Sequence, residues 1–123
     1  MASLVVMVGQ PEQPHYTLAN RPLSAGRHPA RDIQLLDPKV GKRHFGILKR
    51  DEHYLLRDYN SKNGVFVNGA RVDGEKTLHD GDEIVVGDTV LAFFESDQPD
   101  RTNWLNRRKV ADRGVREDRT ITE

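Results

Sequence analysis

Cysteine is missing from the 123 residues, so neither a disulfide framework nor a thiol nucleophile is available. That absence suits a reducing compartment, and a cytoplasmic location is the expectation. Long apolar runs are missing too, since no stretch approaches the roughly 20 residues needed to span a bilayer. The apolar start, Met1 to Met7, has no charged n-region and meets Gly9 and Pro11 at once, which argues against a leader segment. A soluble chain without a membrane partner is expected. Net charge is also absent: 19 Lys and Arg balance 19 Asp and Glu, so no global field draws in DNA, RNA or an anionic membrane. Any anion recognised here must be caught by local placement of charge.

Signatures of catalysis and metal binding are lacking as well. His15, His28, His44, His53 and His79 show no HExxH or His-x-His spacing. There is no P-loop, GxGxxG or GxSxG element, and Ser24, Ser61 and Ser96 sit in no motif with a base partner. No catalytic residue, metal or cofactor is expected, and the chain does not read as an enzyme. Nucleic-acid binding wants a basic stripe with stacking aromatics. Trp104 beside Arg107, Arg108 and Lys109 is the only hint of one, and a linker explains it more simply.

What remains is a series of short β-rich runs separated by turn residues. Leu4 to Val8 is β-branched and apolar, and Gly9 and Pro11 stop it. Tyr16 to Leu18 and Arg21 to Ala25 flank a turn at Asn20 and Pro22, and Ile33 to Leu36 follows. A polar loop, Asp37 to Lys42, leads to an alternating run at Phe45, Ile47 and Lys49, and then to His53 to Asp58. Asn68-Gly69 between alternating apolar residues predicts a type I′ hairpin across Val65 to Val72, because both central residues must take φ > 0. Asp73-Gly74 and Asp80-Gly81 mark further turns. Gly87-Asp88 joins Glu83 to Val86 with Thr89 to Glu95 in a second hairpin. No helical period is sustained before Glu95, so an all-β sandwich is expected.

Three loops carry residues chosen for something other than packing: Gly26-Arg27-His28, Val40-Gly41-Lys42-Arg43-His44 and Asn60-Ser61-Lys62-Asn63-Gly64. Loops of a sandwich cluster at its ends, where recognition residues sit. Together these offer an arginine fork, lysine point charges, hydroxyl and amide donors, and backbone N–H groups at glycines. That set binds phosphate, and the planar donors of Arg27 match phosphate oxygens in a way lysine cannot. The plainer reading makes Arg27 a surface residue paired with Asp32 or Asp37, His44 structural, Asn63 a turn cap, and Asn68 and Gly69 turn residues only.

The order of motifs resembles the forkhead-associated (FHA) family. Gly26-Arg27 comes first, then Asp32-Ile33-Gln34-Leu35 and Val40-x-Lys/Arg-x-His44. Asp58-x-x-Ser61-x-Asn63-Gly64-x-Phe66-Val67-Asn68-Gly69 and Leu78-x-Asp80-Gly81-Asp82-x-Ile84 follow. The resemblance covers about residues 3 to 95. It implies a β-sandwich of about eleven strands in two packed layers, binding a phosphothreonine protein or peptide through loops at one end. Carried over, it implies that Arg27 contacts the phosphate, that Gly41, Lys42 and Arg43 lie beside the peptide, and that Asn63 holds its backbone, with Lys62 bordering the surface. Gly26, His44 and Gly64 would keep the loops in shape. Where the family usually has serine this chain has Gly41, which removes a hydroxyl donor to phosphate. The alternative is therefore a phospho-independent scaffold or oligomerisation module on the same fold.

Residues 1–95 thus read as the FHA domain and residues 96–123 as a charged linker or tail. Arg101 to Glu123 is dense in charge of both signs, so the tail reads as disordered or partly helical, with helical turns over Trp104 to Ala111. Thr102, Thr120 and Thr122 raise self-association through a phosphorylated tail.

Overall fold

The computed structural model describes residues 2–9, 14–18, 21–59 and 61–95. Asn20, Asn60 and the whole 96–123 tail, with its expected helical turns and threonines, lie outside the described residues. Among the described residues eleven strands form: β1 (Ser3–Val8), β2 (His15–Thr17), β3 (Leu23–Gly26), β4 (Ile33–Gln34), β5 (Phe45–Arg50) and β6 (His53–Asp58). They continue as β7 (Phe66–Val67), β8 (Ala70–Arg71), β9 (Glu75–Leu78), β10 (Glu83–Val86) and β11 (Thr89–Phe94). One sheet has the order β2-β1-β11-β10-β7-β8 and the other β4-β3-β5-β6-β9. The expected all-β sandwich is what the chain adopts.

The turns obey their residues. Asn68 and Gly69 take φ of 51° and 86°, the two positive values that a type I′ turn demands. The Asn68 side chain does more than turn, however, because it donates to Asp82 and accepts the Glu83 amide, both at 2.9 Å. At Gly87-Asp88 only the glycine is positive, at 58°, and Val86 pairs directly with Thr89. One strand has no counterpart in the sequence reading. β9 carries Glu75, Lys76 and Thr77 on the edge of its sheet, where charge protects an open edge and hides the apolar alternation. β4 is shorter than its apolar run suggests, and Leu36 is left exposed beyond its end.

Inward positions of both sheets build one core, including Leu4, Val6, Phe45, Leu56, Ile84, Leu91 and Phe93, all fully buried. Each such side chain contributes about 1.5–3 kcal/mol by leaving water. That rigid block holds the β3–β4, β4–β5 and β6–β7 loops at fixed distances from one another.

Candidate functional site

Loops after β3 and before β5 are stitched together by backbone. Arg27 N donates to Gly41 O at 2.9 Å, and His44 N donates to Ala25 O at 2.9 Å. The approach is so close that a side chain at Gly26 would put its Cβ 2.3 Å from Lys42 O and 2.8 Å from Gly41 O. Glycine is required there by contact, not by its own torsion. The Arg27 side chain then crosses to the second loop, where Nε donates to Val40 O at 3.1 Å.

His44 is almost wholly buried and ties the second loop to the third. Its Nδ1 accepts the Gly41 amide at 2.9 Å, and its Nε2 lies 2.9 Å from Gly64 O. An accepting Nδ1 leaves Nε2 as the protonated nitrogen that the Gly64 carbonyl needs. Asn63 adds a second tie by donating Nδ2 to Lys39 O at 2.7 Å. Gly64 takes φ of 81°, and the Arg71 guanidinium lies over it, 3.1 Å from where a Cβ would stand.

The result is one concavity of about 170 Å³, lined by Arg27, Pro38, Lys39, Val40, Gly41, His44, Lys62 and Asn63. The loops expected to meet do meet. Lys42 and Arg43 are on the exposed stretch beside this lining, and the Arg43 guanidinium stacks 4.1 Å from the Tyr59 ring centre. Tyr59 in turn covers Gly46, where a Cβ would strike its hydroxyl at 2.3 Å. Arg27 is exposed, and its side-chain bond among the described residues goes to Val40 O and not to Asp32 or Asp37. Asp32 bonds Arg21 at 3.3 Å and the Ser24 amide at 2.8 Å, and that amide, ahead of Arg21, holds its carboxyl below the usual value.

Asp37 was missed as a site-forming residue. It is 5% exposed and accepts from Lys39 N at 2.9 Å, Asp88 N at 2.8 Å and Thr89 Oγ1 at 2.9 Å. Burial alone would push its carboxyl up. The Lys39 amide, the Thr89 hydroxyl, the Asp88 amide and the Lys39 charge outweigh burial and hold it below the usual carboxylate value. The available signal was Asp two residues before an amide in a polar loop, which is an Asx-turn. Lys39 was missed too. It lines the concavity and pairs with Asp88 at 3.1 Å, both side chains being well exposed. An exposed pair of this kind is worth about 0–1 kcal/mol, so an incoming anion can take the ammonium from it.

No group of three or more potential metal ligands occurs among the described residues, and no described helix is long and apolar enough to cross a membrane. The FHA domain family model matches residues 23–87, which contain all three loops.

The chain belongs to the FHA family.

It is 36% identical over 95 residues to the oxoglutarate dehydrogenase inhibitor of Corynebacterium diphtheriae, covering 76% of this chain and 66% of that protein. It is 35% identical over 99 residues to the glycogen accumulation regulator GarA of Mycolicibacterium smegmatis, covering 80% and 62%. The chain thus spans just under two thirds of the length of these curated relatives. Among solved structures, an FHA domain studied for phosphothreonine-dependent interactions superposes with a TM-score of 0.71 at 32% identity, covering 77% of this chain and 96% of that one.

Proposed function

We propose that this FHA domain binds a protein or peptide carrying phosphothreonine, and so reads out a Ser/Thr kinase by binding and not by turnover. The observation that carries the reading is the sharing of one concavity by Arg27, the 37–44 loop, Lys62 and Asn63. A phosphate monoester near neutral pH brings about −1.5 to −2 charges and three strong acceptor oxygens. Arg27 takes the phosphate in this reading. Its Nε is committed to Val40 O, which fixes the plane of the guanidinium while its terminal nitrogens remain for oxygen acceptors. Lys39 and Lys62 supply charge at the rim.

Gly41 provides no hydroxyl, and its amide is committed to His44. The Lys42 and Arg43 amides are the backbone donors left on this loop for the anion. Asn63 keeps Oδ1 and one Nδ2 hydrogen for the peptide backbone beside the phosphothreonine. Its tie to Lys39 O stops the amide from rotating away. A phosphothreonine ligand agrees with the solved FHA relative, whose interactions are described in those terms. The Corynebacterium relative makes a dehydrogenase of 2-oxo acids a natural first partner to try. The module would work in the cytoplasm, where kinase and ATP meet it.

Calorimetry with paired phosphorylated and unphosphorylated threonine peptides, against wild type and Arg27→Ala, tests the reading. Two charge-assisted bonds at about 1.5–3 kcal/mol each predict a loss of about 100-fold or more on Arg27→Ala. Capture that ignores phosphate, with Arg27→Ala binding as tightly as wild type, would move the protein to the scaffold reading.

A further inference from the structure

β8 brings to the binding end a cation that is in neither the three loops nor the lining of the concavity. Arg71 is exposed on this edge strand, opposite Phe66 in the β7–β8 hairpin. Its guanidinium lies against the buried backbone of Gly64, with Cζ, Nε and Nη2 at 3.1, 3.1 and 3.4 Å from where a Cβ would stand. A side chain at Gly64 would displace it. Gly64 directly follows Lys62 and Asn63, which line the concavity, so the group stands one residue beyond that lining. The contact fixes the guanidinium yet uses none of its donors. Among the described residues no carboxylate comes within ion-pair distance of it, and no acceptor bonds it. Other arginines of this chain do find partners: Arg21 pairs with Asp32, and Arg50 and Arg57 share Glu75.

We propose that Arg71 is a second anion-binding residue beside the phosphate site, and that it takes a carboxylate or a second phosphate which the bound peptide carries close to its phosphothreonine. The inference rests on the phosphothreonine reading and names the further chemistry of that ligand. Five N–H donors in a planar fork match two oxygens side by side, which carboxylate and phosphate both offer. A fork already held against Gly64 loses little freedom when the anion arrives. The charge count agrees. One phosphate brings about −1.5 to −2 charges, which Arg27 and Lys62 balance between them, so Arg71 is left over. Acidic residues of the chain do not answer it, because Asp37 is buried in its own three bonds and Asp88 holds Lys39. The position on the peptide follows from reach. Gly64 is about 3.8 Å of chain beyond Asn63, and an extended peptide advances about 3.3 Å per residue, so the second anion belongs within about two residues of the stretch that Asn63 holds.

Calorimetry on the full-length protein tests this with phosphothreonine peptides that share neutral flanks, except for one Asp moved through the three positions on either side. In wild type one position on one side should tighten binding about fivefold at low salt, the upper range for an exposed ion pair, and the gain should shrink as salt rises. In Arg71→Gln that gain should vanish while the neutral-flank peptide binds as it does to wild type. Arg71→Lys, which keeps the charge without the fork, should retain part of it. A second phosphothreonine at the favoured position identifies the source: a gain there alone means a doubly phosphorylated ligand, and a gain from Asp as well means an acidic segment. Wild type that favours no acidic position overturns the proposal even if Arg71→Gln fails to fold, and so does a gain that Arg71→Gln leaves intact. In both cases the neutral phosphopeptide still binds and the phosphothreonine reading stands. Failure of every phosphopeptide, neutral and acidic alike, strikes that reading and this proposal together.

Discussion

His44 Nδ1 accepts the Gly41 amide at 2.9 Å while its Nε2 donates to Gly64 O at 2.9 Å, so one imidazole joins the β4–β5 loop to the β6–β7 loop. The ring is 1% exposed, which removes water as a substitute partner for either group. His44→Ala leaves an amide and a carbonyl unpaired and opens a cavity. Each unmet group costs about 1–3 kcal/mol, so a loss of about 3 kcal/mol in unfolding free energy is expected by urea denaturation. Phosphopeptide affinity should fall as well, because Asn63 is adjacent to Gly64. A variant as stable as wild type would show that the loops are held by other means.

Gly41→Ser restores a hydroxyl at the position where the family usually has one. A Cβ there meets only His44 Nδ1, at 3.7 Å, which is ordinary contact, and φ at this residue is not positive. The substitution therefore fits without strain. One hydroxyl bonded to a charged phosphate is worth about 1.5–3 kcal/mol, so affinity should rise about tenfold or more. Unchanged affinity in calorimetry would mean that the Lys42 and Arg43 amides already fill the vacancy.

Asn63 should respond differently to two substitutions. Asn63→Ala loses the bond to Lys39 O and the donors offered to a peptide backbone, and about a tenfold drop in affinity is expected. Asn63→Asp keeps the shape, but it cannot donate to Lys39 O and sets a negative charge beside the phosphate. It should bind more weakly than Asn63→Ala, and the gap between the two should narrow as salt rises. Equal affinities at low salt would separate Asn63 from the anion.

These expectations rest on residues of unequal legibility in the sequence. Arg27, Gly41, Lys62 and Asn63 were readable because each sits at a fixed offset from a glycine or histidine in a recognisable loop. The Asn68-Gly69 turn was readable because few residues tolerate two successive positive φ values. Asp37 was opaque, since its partners Asp88 and Thr89 are some fifty positions downstream and only the sandwich brings them close. Lys39 was hidden in the same way, as its pairing with Asp88 and its carbonyl bond to Asn63 are both long-range. The stacking of Arg43 on Tyr59 was hidden because nothing local predicts that ring beneath it. Edge strand β9 was masked by the charges that protect it. Local chemistry fixes turns and loop contents; which loops share a wall depends on the packed sheets.

The Asp37 carboxylate links stability to pH, and the direction follows from its bonding. Folding lowers its affinity for protons below that of the unfolded chain, whose ordinary value is 3.8. The stabilisation is therefore complete above that value and drains away as pH falls through the lower folded-state value. Asp32 and Glu75 are lowered as well, Asp32 first by the Ser24 amide and Glu75 first by the Arg57 guanidinium, so the acid limb has more than one source. Asp37→Asn removes only the part due to the buried carboxylate. It keeps the shape but replaces one oxygen with an NH2 that cannot accept from the Lys39 amide, or from the Asp88 amide and Thr89 hydroxyl. A loss of about 2–3 kcal/mol near neutral pH is expected, shrinking towards zero in strong acid, where the wild-type carboxyl is itself protonated. Urea denaturation of both proteins across the acid range measures the difference. A gap that stayed constant with pH would show that Asp37 acts by shape alone. Because Asp37 holds Lys39 and the start of the 37–44 loop, phosphopeptide affinity should weaken in Asp37→Asn even under conditions where the protein is fully folded.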